Sequence, residues 1–240
     1  SSTAGAAAAS AAVPPVEAPS SPAASSAASA VPAAPKPSAA TLEEVTSKVV
    51  TNDGTPETME LLIALKNIFS KQLPKMPREY IVRLVFDRKH KSLALLRNGV
   101  PIGGICYRPH HSQGFGEIAF CAVNETHQVK GNGTTMMNML KEYARNEGLR
   151  FFITYADEFA IGYFKKLGFT KTPSIPKEKR DPFIKQYEGA LYMECYLHPT
   201  IDFTKAREVF LTQRSFLLDR IKGCSQMERV YSGMTSFPEG

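Results

Sequence analysis

The chain has 240 residues, a net charge of +6 and 43% hydrophobic residues. That length holds one domain of ordinary size plus extras, and no apolar run is long enough to cross a bilayer, so no membrane role is expected. The four cysteines, Cys106, Cys121, Cys195 and Cys224, are widely spaced without a Cys-x-x-Cys pair, and the five histidines show no ligand spacing, which excludes a disulfide framework and a metal site and points to buried reduced thiols.

Residues 1–40 are almost wholly Ala, Ser, Pro and Val. The segment has no aromatic residue and no periodicity, and repeated prolines (Pro14, Pro15, Pro19, Pro22) break any alanine helix, so it reads as disordered. The missing initiator Met suggests a fragment or a processed product. The segment's two charges, Glu17 and Lys36, cancel, so the positive excess sits in residues 41–240. A basic domain suits a polyanionic partner such as nucleic acid, an anionic membrane or a multiply phosphorylated cofactor, and charge alone does not choose among them.

Thr58 to Gln72 places Met59, Leu62, Ile63, Leu65, Ile68 and Phe69 at helical spacing. Ile81 to Phe86 reads as a strand. Ser92 to Arg97 and Val100 to Tyr107 read as a hairpin turning at Asn98-Gly99. Gly114 to Val123 is the next strand, Met136 to Glu147 a helix stopped by Gly148, and Phe151 to Tyr155 a further strand. A short helix, Ala160 to Leu167, ends at Gly168; Gly189 to Leu197 is a strand, and Phe203 to Ile221 a last helix. This order predicts a mixed α/β domain over 41–240, with a C-terminal helix from about residue 203.

Three features carry chemistry. Gln128-Val129-Lys130-Gly131-Asn132-Gly133-Thr134 lies between a strand and a helix. Unpaired backbone N–H groups at a helix start, with the positive end of its dipole, suit a pyrophosphate. The pattern is neither a P-loop, since no Lys follows Gly133, nor a Rossmann fingerprint, which needs a third glycine; on spacing alone it is equally a tight strand-to-helix turn. Second, strand alternation puts Glu117 on one face with Phe115, Ala119, Cys121 and Val123, and both faces are apolar. A carboxylate with so few polar neighbours is expected to have a raised pKa and to accept a proton near neutrality, although a Glu in a solvated cleft or paired with an Arg fits the same pattern. Third, in Tyr155-Ala156-Asp157-Glu158-Phe159-Ala160-Ile161-Gly162-Tyr163-Phe164-Lys165-Lys166-Leu167-Gly168-Phe169 a strand ends, acidic residues cap a helix, and the helix closes at glycine.

Taken together, these motifs resemble the GNAT superfamily of acetyl-CoA-dependent N-acetyltransferases. Lys66-Asn67-Ile68-Phe69, Gln72-Leu73-Pro74-Lys75-Met76-Pro77, Glu117 to Val123 and Tyr187-Glu188-Gly189-Ala190 are similar to the PCAF-type nuclear histone lysine acetyltransferases, over roughly Val45 to Leu197. The resemblance implies a GNAT fold, a mixed and mostly antiparallel twisted sheet flanked by helices. It implies transfer of acetyl from acetyl-CoA to a histone lysine, with H3 the expected histone, in a nuclear transcription coactivator. Expected partners are the histone tail, acetyl-CoA and subunits of a coactivator complex, without sequence-specific nucleic-acid binding.

By the same resemblance Glu117 is the general base. The backbone of Cys121, Ala122 and Val123 pairs with the pantetheine arm, and the Cys121 N–H polarises the thioester carbonyl. Gln128, Val129, Lys130, Gly131, Asn132, Gly133 and Thr134 wrap the pyrophosphate. Phe159 contacts the cofactor, and Tyr187 and Glu188 help wall the peptide groove. Two positions depart from the family: Asn132 and Phe159 stand where Tyr is usual. Phe159 brings no hydroxyl to protonate the departing thiolate, yet a CoA thiol leaves without much help, so activity is expected to survive. The bromodomain that often follows in this family is not in the sequence. Cys121 is the rival nucleophile for a ping-pong route, with no His next to it in sequence. The alternatives are acetylation of a small amine, or an acetyl-CoA-binding scaffold that has lost catalysis. Because the domain is basic, capture of a basic tail calls for local acidic residues, with Asp157, Glu158, Asp181 and Glu188 as candidates.

Overall fold

The computed structural model describes residues 45–187, 189–225, 230, 232 and 233. Segment 1–40 and Glu188 lie outside the described residues. Six strands form one sheet in sequence order: β1 (Val45–Val50), β2 (Lys91–Arg97), β3 (Val100–His110), β4 (Phe115–Val123), β5 (Phe151–Ala156) and β6 (Leu191–Tyr196). Every neighbouring pair is antiparallel except β4 and β5, which run parallel. This is the mixed, mostly antiparallel sheet flanked by helices that the sequence predicts.

The β2–β3 hairpin turns where Asn98 and Gly99 adopt φ of 50° and 78°. Positive φ at both central residues is what a two-residue hairpin twist demands. Strand β1 has no counterpart among the sequence-predicted elements. It is an edge strand whose Thr46, Ser47 and Lys48 are exposed, so it lacks an apolar alternation to read.

Helix α1 (Pro56–Gln72) starts two residues before the expected Thr58, with Pro at its first turn, and buries Leu62, Leu65, Ile68 and Phe69. The expected strand Ile81–Phe86 is instead helix α2 (Arg78–Val85). Ile81 and Val85, one helical turn apart, are buried, while Val82 is 42% exposed. Helical period wins over β-branched content in this short run. The two helices cover one face of the sheet, where Phe69 and Phe120 meet with ring centroids 5.6 Å apart. Helix α3 (Asn132–Asn146) packs across β2, β3 and β4 and buries Met136, Met137, Leu140 and Ala144. Short helices α4 (Ile161–Lys166) and α5 (Lys177–Arg180) precede β6.

Two irregularities of β4 shape the site. Cys106 pairs with Phe120 and Tyr107 with Ile118, so Ala119 has no partner on β3 and the strand bulges there. Pairing with β5 covers only Phe115–Ile118, so beyond Ile118 the two parallel strands part.

Contacts divide the chain after Pro199. The second unit holds a 3₁₀ turn (Phe203–Lys205), capped by the Asp202 carboxylate accepting from the Thr204 N–H at 3.0 Å, and helix α6 (Ala206–Lys222), none of whose residues is buried.

Candidate active site

Glu117 sits on β4 just before the bulge, with its side chain 16% exposed. It lines a cavity of about 280 Å³ together with Tyr80 and Arg83 of α2, Arg108 of β3, and Phe183, Lys185 and Tyr187 of the loop before β6. The expectation of few polar neighbours is therefore wrong. The strand is apolar, but its partner strand and the covering loop bring cations. The Tyr80 and Tyr187 hydroxyls hydrogen-bond to each other, and their rings stand edge to face at 6.5 Å. Burial is the main cause that raises both phenols above their ordinary value, and the Glu117 charge adds to it, so both keep their protons.

Strict alternation put Cys121 on the Glu117 face, and the bulge overturns this. After Ala119 it is Phe120 that turns toward Tyr80, with centroids 6.0 Å apart, while Cys121 points away, with its Sγ 3.6 Å from the Tyr163 hydroxyl of α4. Burial pushes the Cys121 thiol up to about 12.

Among the described residues, β4 has no strand partner on its β5 side from Ala119 to Val123. At its end, Gln128 donates to the Val123 carbonyl at 2.9 Å and to the Gln72 side chain at 3.1 Å, tying the following loop to β4 and α1. Val129 and Lys130 complete a 3₁₀ turn (Glu125–Lys130), and Gly131, at φ 75°, reverses the chain into α3. Asn132 is 5% exposed and its amide donates back to the His127 carbonyl at 2.7 Å. It thus braces the loop from inside. A Cβ on Gly133 would lie 3.1 Å from the Tyr163 ring, whose hydroxyl donates to the Gly133 carbonyl at 2.9 Å. Thr134, exposed, returns its N–H to the Gly131 carbonyl at 3.0 Å. A strand edge without a partner, leading to the start of a 15-residue helix, provides amide donors for an extended amide-bearing arm and then for a pyrophosphate.

Phe159 is 61% exposed, with the Lys75 ammonium 5.1 Å from its ring centre. The enclosed hydroxyl of this region belongs to Tyr163 instead. Of the acidic candidates, Asp157, Glu158 and Asp181 do not line the Glu117 cavity. Asp157 accepts from the Ala160 N–H at 2.8 Å, Asp181 pairs with Arg180 at 3.1 Å, Glu158 is exposed, and the cavity's second carboxylate is Asp87. Reasoning from sequence missed Tyr80, Arg108 and Tyr163. Arg108 lies directly opposite Glu117 in the hairpin register, so extending the predicted strand past Tyr107 would have found it.

The description "Acetyltransferase (GNAT) family" matches residues 60–169. A crystal structure of Tetrahymena GCN5 superposes with TM-score 0.64 at 54% identity, covering 65% of this chain and 99% of that one.

The chain belongs to the GNAT acetyltransferase family.

A second Tetrahymena GCN5 structure, the catalytic domain of that histone acetyltransferase in complex with coenzyme A, matches this GNAT chain with TM-score 0.55 at 53% identity, covering 66% of this chain and 96% of that one. Histone acetyltransferase GCN5 of rice (Oryza sativa subsp. japonica) is 49% identical over 185 residues, covering 77% of this chain and 36% of the relative. The Yarrowia lipolytica GCN5 is 42% identical over 208 residues, covering 84% of this chain and 45% of the relative. This GNAT chain therefore spans less than half the length of these curated relatives. The family assignment carries acetyl-CoA as the acyl donor, and the parted strand edge with the α3 start fits it. Among the described residues no cluster of three or more His, Cys, Asp or Glu side chains gathers around a point.

Proposed function

We propose that this domain transfers an acetyl group from acetyl-CoA directly to the side-chain amine of a histone lysine, with H3 the first substrate to test. The observation that carries the reading is the position of Glu117. Its carboxylate lines a cavity at the place where β4 leaves β5, so a base on one side of the strand adjoins an unpaired strand edge suited to the donor.

The chemistry needs such a base. A lysine ammonium with a pKa of about 10.4 is almost wholly protonated at neutral pH, and freeing its lone pair costs about 4.5 kcal/mol. Glu117 takes that proton, directly or through one water. The freed amine attacks the thioester carbonyl, the C–S bond breaks, and CoA departs. The Cys121 N–H is the proposed donor to the carbonyl oxygen, and the N–H groups at the start of α3 hold the pyrophosphate. Tyr80 and Tyr187 shape the acceptor side, their linked hydroxyls holding the α2 end and the 183–187 loop in register.

The buried Cys121 thiol speaks against an acyl-enzyme. With its pKa pushed up to about 12, the thiolate fraction at neutral pH is about one part in 10⁵. Its neighbour is the Tyr163 hydroxyl, itself raised by burial, which is no base to activate it.

GCN5 similarity supports a nuclear, chromatin-associated role as a transcription coactivator working with further subunits. The test is transfer of labelled acetyl from acetyl-CoA to histone peptides, free polyamines and buffer alone. Transfer to peptide lysines, H3 foremost, is the expected result. Transfer to polyamines alone would assign a small-amine acetyltransferase, and binding without transfer would assign a scaffold.

A further inference from the structure

Next to Glu117 lies a buried imidazole that the mechanism above does not use. His110 ends β3 and pairs with Phe115, which places Glu117 two residues further along β4 on the same face, a diagonal cross-strand neighbour. The His110 ring is wedged between Phe115, 4.9 Å away, and Phe183, 5.8 Å away. Its side chain is 7% exposed, and its Nε2 is fully buried without a hydrogen-bond partner. The Glu117 Oε2 is 3.6 Å from that atom. A buried polar atom left unpaired costs free energy, and catalytic hydrogen bonds that are long in a free enzyme tighten when substrate binds. Closing this gap by about half an ångström makes a normal hydrogen bond.

We propose that His110 is a positioning residue for the general base: its Nε2 anchors the Glu117 carboxylate and couples the charge of the imidazole to that of the carboxylate. This rests on the reading of Glu117 as base. With His110 neutral, an Nε2–H donated to Oε2 fixes one carboxylate rotamer and leaves Oε1 for the incoming ammonium. Once Oε1 has taken the proton, the same Nε2–H still donates to Oε2, now the carbonyl oxygen of the carboxyl, so the anchor persists through the step. With His110 protonated, the pair becomes an ion pair, and the carboxylate is less available to the substrate.

The other titratable groups facing the pair are Tyr80, Arg83, Asp87 and His90 from α2 and the turn after it, Arg108 from β3, and Lys185 and Tyr187 from the covering loop. Tyr155 of β5 also feels the Glu117 charge. Burial is the main cause that raises Tyr80, Tyr155 and Tyr187, which keep their protons near neutrality, and against its burial, hydrogen bonds from Lys89 and His90 hold Asp87 below its ordinary value, so it stays ionised. Burial lowers His90 more than its 2.9 Å bond to Asp87 raises it, so it remains neutral to a lower pH than an ordinary imidazole.

The test compares His110→Phe and His110→Gln, whose side-chain amide reaches where Nε2 sits. His110→Phe is expected to lower kcat about tenfold with peptide KM, acetyl-CoA affinity and Tm close to wild type. His110→Gln is expected to restore most of kcat. A His110→Phe enzyme with wild-type kcat, a His110→Phe loss that falls on KM instead of kcat, or a His110→Gln enzyme that does not recover would overturn the proposal. Glu117→Gln in the same assay separates the two levels: full activity there removes the base itself, whereas an inactive Glu117→Gln with silent His110 variants removes only the anchor.

Discussion

The donor side and the acceptor side proposed for this site are built by different means. The donor side is mostly backbone: an unpaired edge of β4 from Ala119 to Val123, a 3₁₀ turn, and the first N–H groups of α3. Its side chains face inward as braces, with Gln128 on Val123, Asn132 on His127 and Tyr163 on Gly133. The acceptor side is mostly side chains, gathered from α2, β3, β4 and the 183–187 loop around one carboxylate. Backbone can be offered to a cofactor that is the same in every turnover. Side chains are what a site varies to choose an acceptor and move a proton.

If that division holds, variants on one side leave the other untouched. The largest effect is expected for Glu117→Gln, which is predicted to lower turnover on a histone peptide at neutral pH by about 10²-fold or more. Calorimetry on the same variant is expected to show acetyl-CoA affinity unchanged. Gly133→Val comes next: its side chain would push on the Tyr163 ring, 3.1 Å from the position of a Cβ, and displace the hydroxyl from the Gly133 carbonyl. Acetyl-CoA affinity is expected to fall about tenfold with peptide KM unchanged, a shift of about 1.4 kcal/mol. Tyr187→Phe deletes one half of the hydroxyl pair with Tyr80. The loss of about 1 kcal/mol is expected to raise peptide KM about fivefold while acetyl-CoA affinity stays constant. Smallest is Cys121→Ala, predicted to change kcat by less than about threefold and to trap no acyl-enzyme in a quench with labelled acetyl-CoA, since a thiol at about 12 is not the nucleophile. A Glu117 variant that loses its cofactor, or a Gly133 variant that loses only its peptide, would break the comparison.

The two sides also differ in how far they could be read from the sequence. The donor loop is one contiguous stretch, Gln128 to Thr134, whose glycines and place between strand and helix announce a phosphate-type turn. The acceptor side joins Tyr80 to Tyr187, which are 107 residues apart, and no local pattern records that contact. Helix α2, which delivers Tyr80 and Arg83, reads as a strand because the six-residue run Ile81 to Phe86, apolar except for Arg83, is too short to show helical period. The bulge at Ala119 is invisible in the sequence because both faces of β4 are apolar, so a one-residue shift in alternation leaves no mark in composition, yet it decides which face Cys121 takes. The family resemblance assigns Phe159 to the cofactor, and the structure leaves it largely exposed beneath Lys75. The hairpin at Asn98-Gly99 and the apolar β4 strand were legible because turn chemistry and burial act locally.

The central claim is that Glu117 removes a proton from the acceptor amine, and a pH series on Glu117→Gln tests it most directly. The relative rate of the variant, measured as kcat/KM on a histone peptide against wild type, is predicted to rise steadily from neutral pH toward about 10, where the lysine is already losing its proton to solvent. A deficit that stays constant across the whole series would contradict a role in deprotonation, and a variant with wild-type activity at neutral pH would remove Glu117 from the chemistry altogether.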